Sequence, residues 1–213
     1  IALINIFMDE DFLSQNGFDR QTAIAMYIPN SYDFYWNTDA VKFRDKMLVE
    51  YNRFWTKDKI AKAKAQQLTP LQATTLASIV QKETAVVSER KTDAGLYLNR
   101  LWDFWPLQAD PTIIYALKQK YGQDKEYKRV LNKVLTIDSP YNTYVNFGLP
   151  PGPIGMPDFS SIDAVLNYEK HDYYYMCASV ENIGHHEFAK TLAEHNANAR
   201  AYQKWVSEQG INR

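Results

Sequence analysis

Leu76-Ala77-Ser78-Ile79-Val80-Gln81-Lys82-Glu83-Thr84 is the stretch on which the reading of this chain turns. It follows Thr69-Pro70-Leu71-Gln72, a strong helix start. Thr69 can cap, Pro70 suits the first helical position, and Gln72 stands where a capping box wants Glu or Gln. The helix is expected to run to about Val87. Leu76, Val80, Glu83 and Val87 then fall on one face, three apolar side chains and one carboxyl. Burial on that stripe disfavours the charged form of Glu83 and raises its pKa. A carboxyl that keeps its proton near neutral pH is what a general acid needs. The same pattern also suits a buried glutamate paired with Arg90 or Arg100, and both readings stand at this point.

Working outward, a short helix is expected over residues 9–16 and a longer one over 39–55, where Val41, Met47, Leu48, Tyr51 and Trp55 recur at helical spacing. Residues 56–68, with Lys57, Lys59, Lys62 and Lys64, read as a solvated helix or linker. A helix from Ser88 carries Ala94, Tyr97, Leu98 and Leu101 on one face. Asp110-Pro111 repeats the cap-plus-proline signature and opens a helix that stops near Gly122. The segments 139–144 and 148–155 are rigid, proline-rich loops. A short helix is expected over 161–168, a strand over 173–178, and a hairpin partner over 185–188 across a turn containing Gly184. Thr191-Leu192-Ala193-Glu194 is a capping box for a last helix to about Glu208. The fold class is therefore α+β: a mostly helical domain with a small antiparallel sheet or hairpin. Residues 1–55 are expected to form an N-terminal segment leading into the main domain over 56–213.

Composition narrows the function. Lys plus Arg number 24 and Asp plus Glu 25 in 213 residues, a balance that argues against holding nucleic acid by phosphate neutralisation. One cysteine, Cys177, excludes an internal disulfide and a cysteine-based metal site, and its strand context suits inert core. No apolar run approaches a membrane span. The opening Ile1-Ala2-Leu3-Ile4-Asn5 has no initiator Met and no basic leader, so a trimmed N-terminus is expected. The 15 Tyr, 10 Phe and 5 Trp supply rings suited both to a core and to clefts that hold sugars or peptides.

Other constellations are weaker. His185, His186, Glu187 and His195 invite a metal reading, but no HExxH occurs, so no metal and no cofactor are expected. No GxSxG, phosphate-binding loop or dinucleotide fingerprint is present.

Leu76 to Thr84 resembles the signature of the YceG-like family, the endolytic murein transglycosylases of the MltG type. Further blocks follow in the family's order: Leu98-Asn99-Arg100-Leu101, Leu107-Gln108-Ala109-Asp110-Pro111-Thr112, Ser139-Pro140-Tyr141-Asn142-Thr143-Tyr144, Gly148-Leu149-Pro150-Pro151-Gly152-Pro153-Ile154, His186-Glu187-Phe188 and Glu194-His195-Asn196. Position 81 is Gln where many relatives have Glu, which leaves Glu83 as the acid of that turn.

The resemblance implies a lytic transglycosylase that cleaves the MurNAc–GlcNAc β-1,4 bond of peptidoglycan and leaves 1,6-anhydro-MurNAc ends. It implies Glu83 as the catalytic acid and Gln108, Asp110, Asn142 and Tyr144 as the glycan-contacting shell. Asp110 as a helix cap, Tyr144 and Tyr141 as packing under the Gly-Pro loop, and Trp102 and Trp105 as sugar platforms or core are parallel readings. The implied setting is a bacterial cytoplasmic membrane, with a single N-terminal anchor outside this chain, an extracytoplasmic catalytic domain, and cell-wall synthases as partners. A hydrolase that recruits Glu89 or Asp110 as a second carboxyl, and a non-catalytic glycan-binding or division scaffold, are the alternatives.

Overall fold

The computed structural model describes residues 2–125, 127 and 130–210. Its elements are α1 (Ala2–Phe7), α2 (Glu10–Gln15), α3 (Ala40–Phe54), α4 (Lys57–Ala65), α5 (Pro70–Glu83), α6 (Arg90–Trp102), α7 (Asp110–Tyr121), α8 (Phe159–Leu166), β1 (Tyr175–Ala178), β2 (His186–Ala189) and α9 (Leu192–Glu208). The expected α+β class holds: helices dominate, and β1 and β2 form a two-stranded antiparallel hairpin with Tyr175 opposite Ala189 and Ala178 opposite His186. Short 3-10 turns interrupt the connections at 23–26, 87–89 and 132–134.

The two capping boxes form where the sequence places them. Thr69 and Gln72 make the reciprocal capping box of α5, and Thr191 and Glu194 make that of α9. Asp9, Asp39, Thr56 and Asp158 cap α2, α3, α4 and α8 through their side chains. α5 is shorter than the expected run to Val87. Thr84 turns extended (φ −125°, ψ 134°), and its hydroxyl accepts from the Val86 N–H at 3.0 Å, a local alternative to continuing the helix.

α5 is the axis of the core. Every residue from Ala73 to Val80 is buried, not only one stripe, and α6, α7 and α8 pack around it. Its hydroxyls are satisfied internally: Thr74 donates to the Pro70 carbonyl, Thr75 to that of Leu71, and Ser78 to that of Thr75. Ser78 also accepts from the Ile154 N–H at 3.0 Å, which ties the Gly-Pro loop to the helix. Gln81 extends that tie, accepting from the Asp158 N–H at 2.6 Å and from the Ser161 hydroxyl at 3.0 Å. The core runs without a break from Leu13, Phe18 and Met26 through Tyr51 and Trp55 to Leu166, so residues before 56 share it.

α6 holds the segment that leads into β1. The Glu169 N–H donates to the Lys91 carbonyl, and the Asn99 amide donates to the carbonyls of His171 and Tyr173. Gly95 allows this approach: a Cβ there would lie 2.3 Å from the Glu169 carbonyl oxygen and 2.7 Å from His171 Nε2. Gly95→Ala should therefore destabilise the fold by about 1–3 kcal/mol, because overpacking outweighs the roughly 1 kcal/mol gain in helix propensity. Urea unfolding of the two proteins checks this; an unchanged or raised midpoint would contradict the close approach.

Candidate active site around Glu83

Glu83 is the last residue of α5 and is half-buried at the point where the helix leaves the core. Its Oε2 accepts a hydrogen bond from the Tyr97 hydroxyl at 2.9 Å. Tyr97 itself is fully buried on α6. Burial raises the pKa of Glu83 above the ordinary carboxylate value, and the Asp110 charge adds to the rise. The Tyr97 hydrogen bond, the nearby His186 and the positive charge of Arg100 pull the other way. The negative end of the α5 dipole also opposes a charge here. The result is a carboxyl biased toward its protonated form but bonded so that its anion is tolerated.

Neither candidate ion pair to Glu83 forms among the described residues. Arg90 instead binds Asp158, at 3.0 Å, together with Ser160 and Ser161, and so joins α6 to the start of α8. Arg100 is buried and gives its guanidinium to carbonyls: Nε donates to Tyr174 O at 2.8 Å, and a terminal nitrogen donates to Leu107 O. It thereby pins the β1 lead-in to the 107–110 loop, and its charge still acts at Glu83.

The 107–112 and 139–147 segments interlock. The Gln108 N–H donates to Thr143 O and the Ala109 N–H to Thr143 Oγ1, both at 3.0 Å. Asp110 is not the helix cap of the sequence reading. Ala109 occupies that position without a side-chain bond, and Asp110 opens α7 with its carboxyl directed elsewhere. Its Oδ1 accepts the Tyr144 hydroxyl at 2.5 Å. Burial and the Asp110 carboxylate push the Tyr144 hydroxyl's pKa well up, and the charges of Glu83 and Arg100 act on it as well. Glu83, Asp110, Tyr144 and Arg100 thus share one electrostatic environment. Gln108 is exposed, with its backbone in the left-handed region (φ 50°), a conformation that costs a non-glycine residue about 1 kcal/mol.

Asn142 is placed differently from the glycan contact expected of it. It is fully buried; its amide nitrogen donates to the Leu135 and Ile137 carbonyls and its oxygen accepts from the Tyr144 N–H. All of these bonds build the loop that carries Tyr144, and no face is left for a ligand. Tyr141 packs in the core against Tyr115, as a packing role requires. Trp105 stacks on Tyr174 at 5.5 Å, and Trp102 meets Tyr168 edge-on. Cys177 sits half-buried in β1, where burial pushes its thiol pKa up and leaves it inert.

A second cluster lies where the hairpin meets the start of α6. Glu89 is buried and accepts from the His186 N–H at 2.9 Å, while the ring nitrogens Nδ1 of His186 and His185 lie 2.7 and 3.2 Å from its oxygens. This pairing fastens the hairpin to the start of α6 and positions His186 so that its charge is felt at Glu83. Asp93, one turn further along α6, is fully buried, and neither of its carboxyl oxygens has a hydrogen-bond partner among the described residues.

The sequence profile of the YceG-like family matches residues 4–201. This chain belongs to the YceG-like family. Among the proteins it resembles is the endolytic murein transglycosylase of Bacillus subtilis strain 168, 38% identical over 162 residues that cover 76% of this chain and 42% of that protein. The endolytic murein transglycosylase of Streptococcus pneumoniae D39 is 38% identical over 135 residues, covering 63% of this chain and 24% of that protein. The crystal structure of a YceG-like protein from Listeria monocytogenes superposes with a TM-score of 0.76 at 30% identity, covering 92% of this chain and 66% of that one. The chain therefore spans less than half the length of these curated relatives. Among the described residues, no helix is long and apolar enough to cross a membrane.

Sequence reasoning did not find Tyr97 as the hydrogen-bond donor to Glu83, nor Glu89, Asp93 and His186 as neighbours. Tyr97 carried one signal, a hydroxyl in an otherwise aliphatic helical stripe. The scaffold role of Asn142 has a direct consequence. Asn142→Ala should cost about 2–3 kcal/mol, because two buried carbonyls lose their donor. Denaturant titration measures it; a loss below about 0.5 kcal/mol would mean that water replaces the amide.

Proposed function

We propose that this YceG-like domain is an endolytic lytic transglycosylase of peptidoglycan, with Glu83 as its single acid/base group. The observation that carries the reading is the state of Glu83, a carboxyl whose pKa is raised by burial at the end of the central helix and whose hydrogen bond comes from Tyr97. The names of the relatives supply the substrate, murein glycan strands.

In this mechanism protonated Glu83 donates to the glycosidic oxygen between MurNAc and GlcNAc as the bond to the muramyl C1 breaks. Positive charge develops at C1. Glu83, now a carboxylate, takes the proton from the muramyl 6-hydroxyl, whose oxygen closes onto C1. The products are a 1,6-anhydro-MurNAc end and a GlcNAc end, and no water is consumed. Ordinary glycosidases need a second carboxyl to serve as nucleophile or to activate water. The two carboxyls available for that task here are already engaged, Glu89 by the histidine pair and Asp110 by Tyr144. That engagement supports the lyase over the hydrolase. Tyr144 and Asp110, whose charges couple to Glu83, and exposed Gln108 on the same loop as Asp110 are assigned to the glycan-contacting shell. The domain acts extracytoplasmically, where murein lies, anchored through a membrane segment outside this chain, and cell-wall synthases are its natural neighbours.

Digestion of polymeric peptidoglycan followed by mass spectrometry tests the reaction. Muropeptide ends lighter by one water than reducing ends are expected, and Glu83→Gln should lower their rate of formation about a hundred- to ten-thousandfold. Reducing ends would replace this reading with a hydrolase; undiminished activity in the variant would remove Glu83 from the role.

The pH profile gives an independent check. The acid step needs protonated Glu83, so the rate should fall as pH rises through its pKa. The Tyr97 hydroxyl stabilises the carboxylate and lowers that pKa. Tyr97→Phe removes the bond, the pKa rises, and the alkaline limb should move to higher pH. A limb that stays in place or moves to lower pH would show that Tyr97 does not tune the acid.

A further inference from the structure

We propose that Glu89, Asp93 and His186 form a binding site for one divalent transition-metal ion where the hairpin meets the start of α6. The three residues can each place one donor atom so that these atoms lie within 4.8 Å of one another. They come from three places in the chain: the turn at 87–89, the first turn of α6, and strand β2. Glu89 has helical backbone angles (φ −83°, ψ −21°) at the start of α6, so Glu89 and Asp93 are an i, i+4 pair with both carboxyls on one face. The hairpin then lays His186 over that face, held by its own N–H on Glu89.

The independent pointer is Asp93. Its side chain is completely buried, and both of its oxygens lack a hydrogen-bond partner among the described residues. The Glu89 carboxyl lies beside it in the same cluster. An uncompensated carboxylate in that position costs several kcal/mol. One proton would cover one Asp93 oxygen and leave the other without a partner. A divalent cation neutralises both carboxylates at once and uses the imidazole as well.

The donor set is mixed, two carboxylate oxygens and one imidazole nitrogen. It suits Zn²⁺ or Mn²⁺ better than Ca²⁺ or Mg²⁺, which favour oxygen alone. His185, 3.2 Å from Glu89 Oε2 and partly exposed, is placed as the outer partner that orients a ligating carboxylate. Of the other residues the sequence offered as ligands, Glu187 is taken by Ser179, and His195 stacks on Tyr175. An ion in this site would cross-link the β-hairpin to α6 and thereby fix the wall on which Tyr97 stands. The inference rests on this cluster and is independent of the reaction assigned to Glu83.

The test uses the full chain, stripped with a chelator, and titrated calorimetrically with ZnCl₂ and MnCl₂ in separate experiments. One saturable site per chain is expected with at least one of the two ions, together with a raised melting temperature. Asp93→Asn should weaken that binding by at least about tenfold. His186→Ala, at a partly exposed position on another element, should do the same, and it keeps the test valid if the Asp93 variant does not fold. Circular dichroism of the metal-free proteins verifies folding. The proposal falls if the wild type binds neither ion saturably, as it would if Asp93 simply holds a proton. It falls equally if folded variants bind as tightly as the wild type, which would place the ion on surface groups.

Discussion

Burial of every face of α5 between Ala73 and Val80 is the constraint from which the rest of this structure follows. A helix with no solvent face must be wrapped, and α6, α7 and α8 do so. It must also leave no polar group unpaired, and its three hydroxyls are spent on neighbouring carbonyls and on the Gly-Pro loop. Such a helix delivers its last residue at the boundary between core and solvent. Glu83 occupies that boundary, which is why its carboxyl is poorly hydrated yet half-exposed.

The elements around the acid are fixed by backbone carbonyls more than by opposing charges. Arg100 bonds two carbonyls from separate segments, Asn142 bonds two more, and Asn99 another two. These long polar side chains act as struts in a region with little regular sheet. The arrangement has a chemical consequence. Because Arg100 is bonded to carbonyls, its charge moderates Glu83 from nearby without locking the carboxyl into an ion pair. The acid/base role proposed for Glu83 calls for that intermediate condition.

Three carboxyls, half-buried Glu83 and buried Glu89 and Asp93, lie close enough to influence one another. Each is treated differently. Glu83 receives a phenol hydroxyl, Glu89 receives a backbone N–H and two imidazoles, and Asp93 receives nothing among the described residues. Concentrated like charge in a core is destabilising unless something compensates it.

Local features were legible in the sequence because their physics spans only a few residues. Thr69-Pro70-Gln72 and Thr191-Glu194 announce helix starts by hydrogen bonds three residues long, and the hairpin follows from a polar turn between short strands. Glu83 was singled out by a carboxyl on an apolar stripe, although Val87, the last member of that stripe, lies outside α5 and is exposed, and the ordered blocks along the chain pointed to the family. Tertiary structure decided the rest. The end of α5 at Glu83 instead of Val87 depends on the turn taken by Thr84, and Asn142 turned inward because the carbonyls of Leu135 and Ile137 lie beneath its loop. Asp110 lost its capping role to the interlock with residues 139–147. The Tyr97–Glu83 bond spans 14 residues and the Glu89–His186 bond 97. No periodicity encodes such pairs, since which side chains meet across a core is set by how the helices pack and not by spacing along the chain.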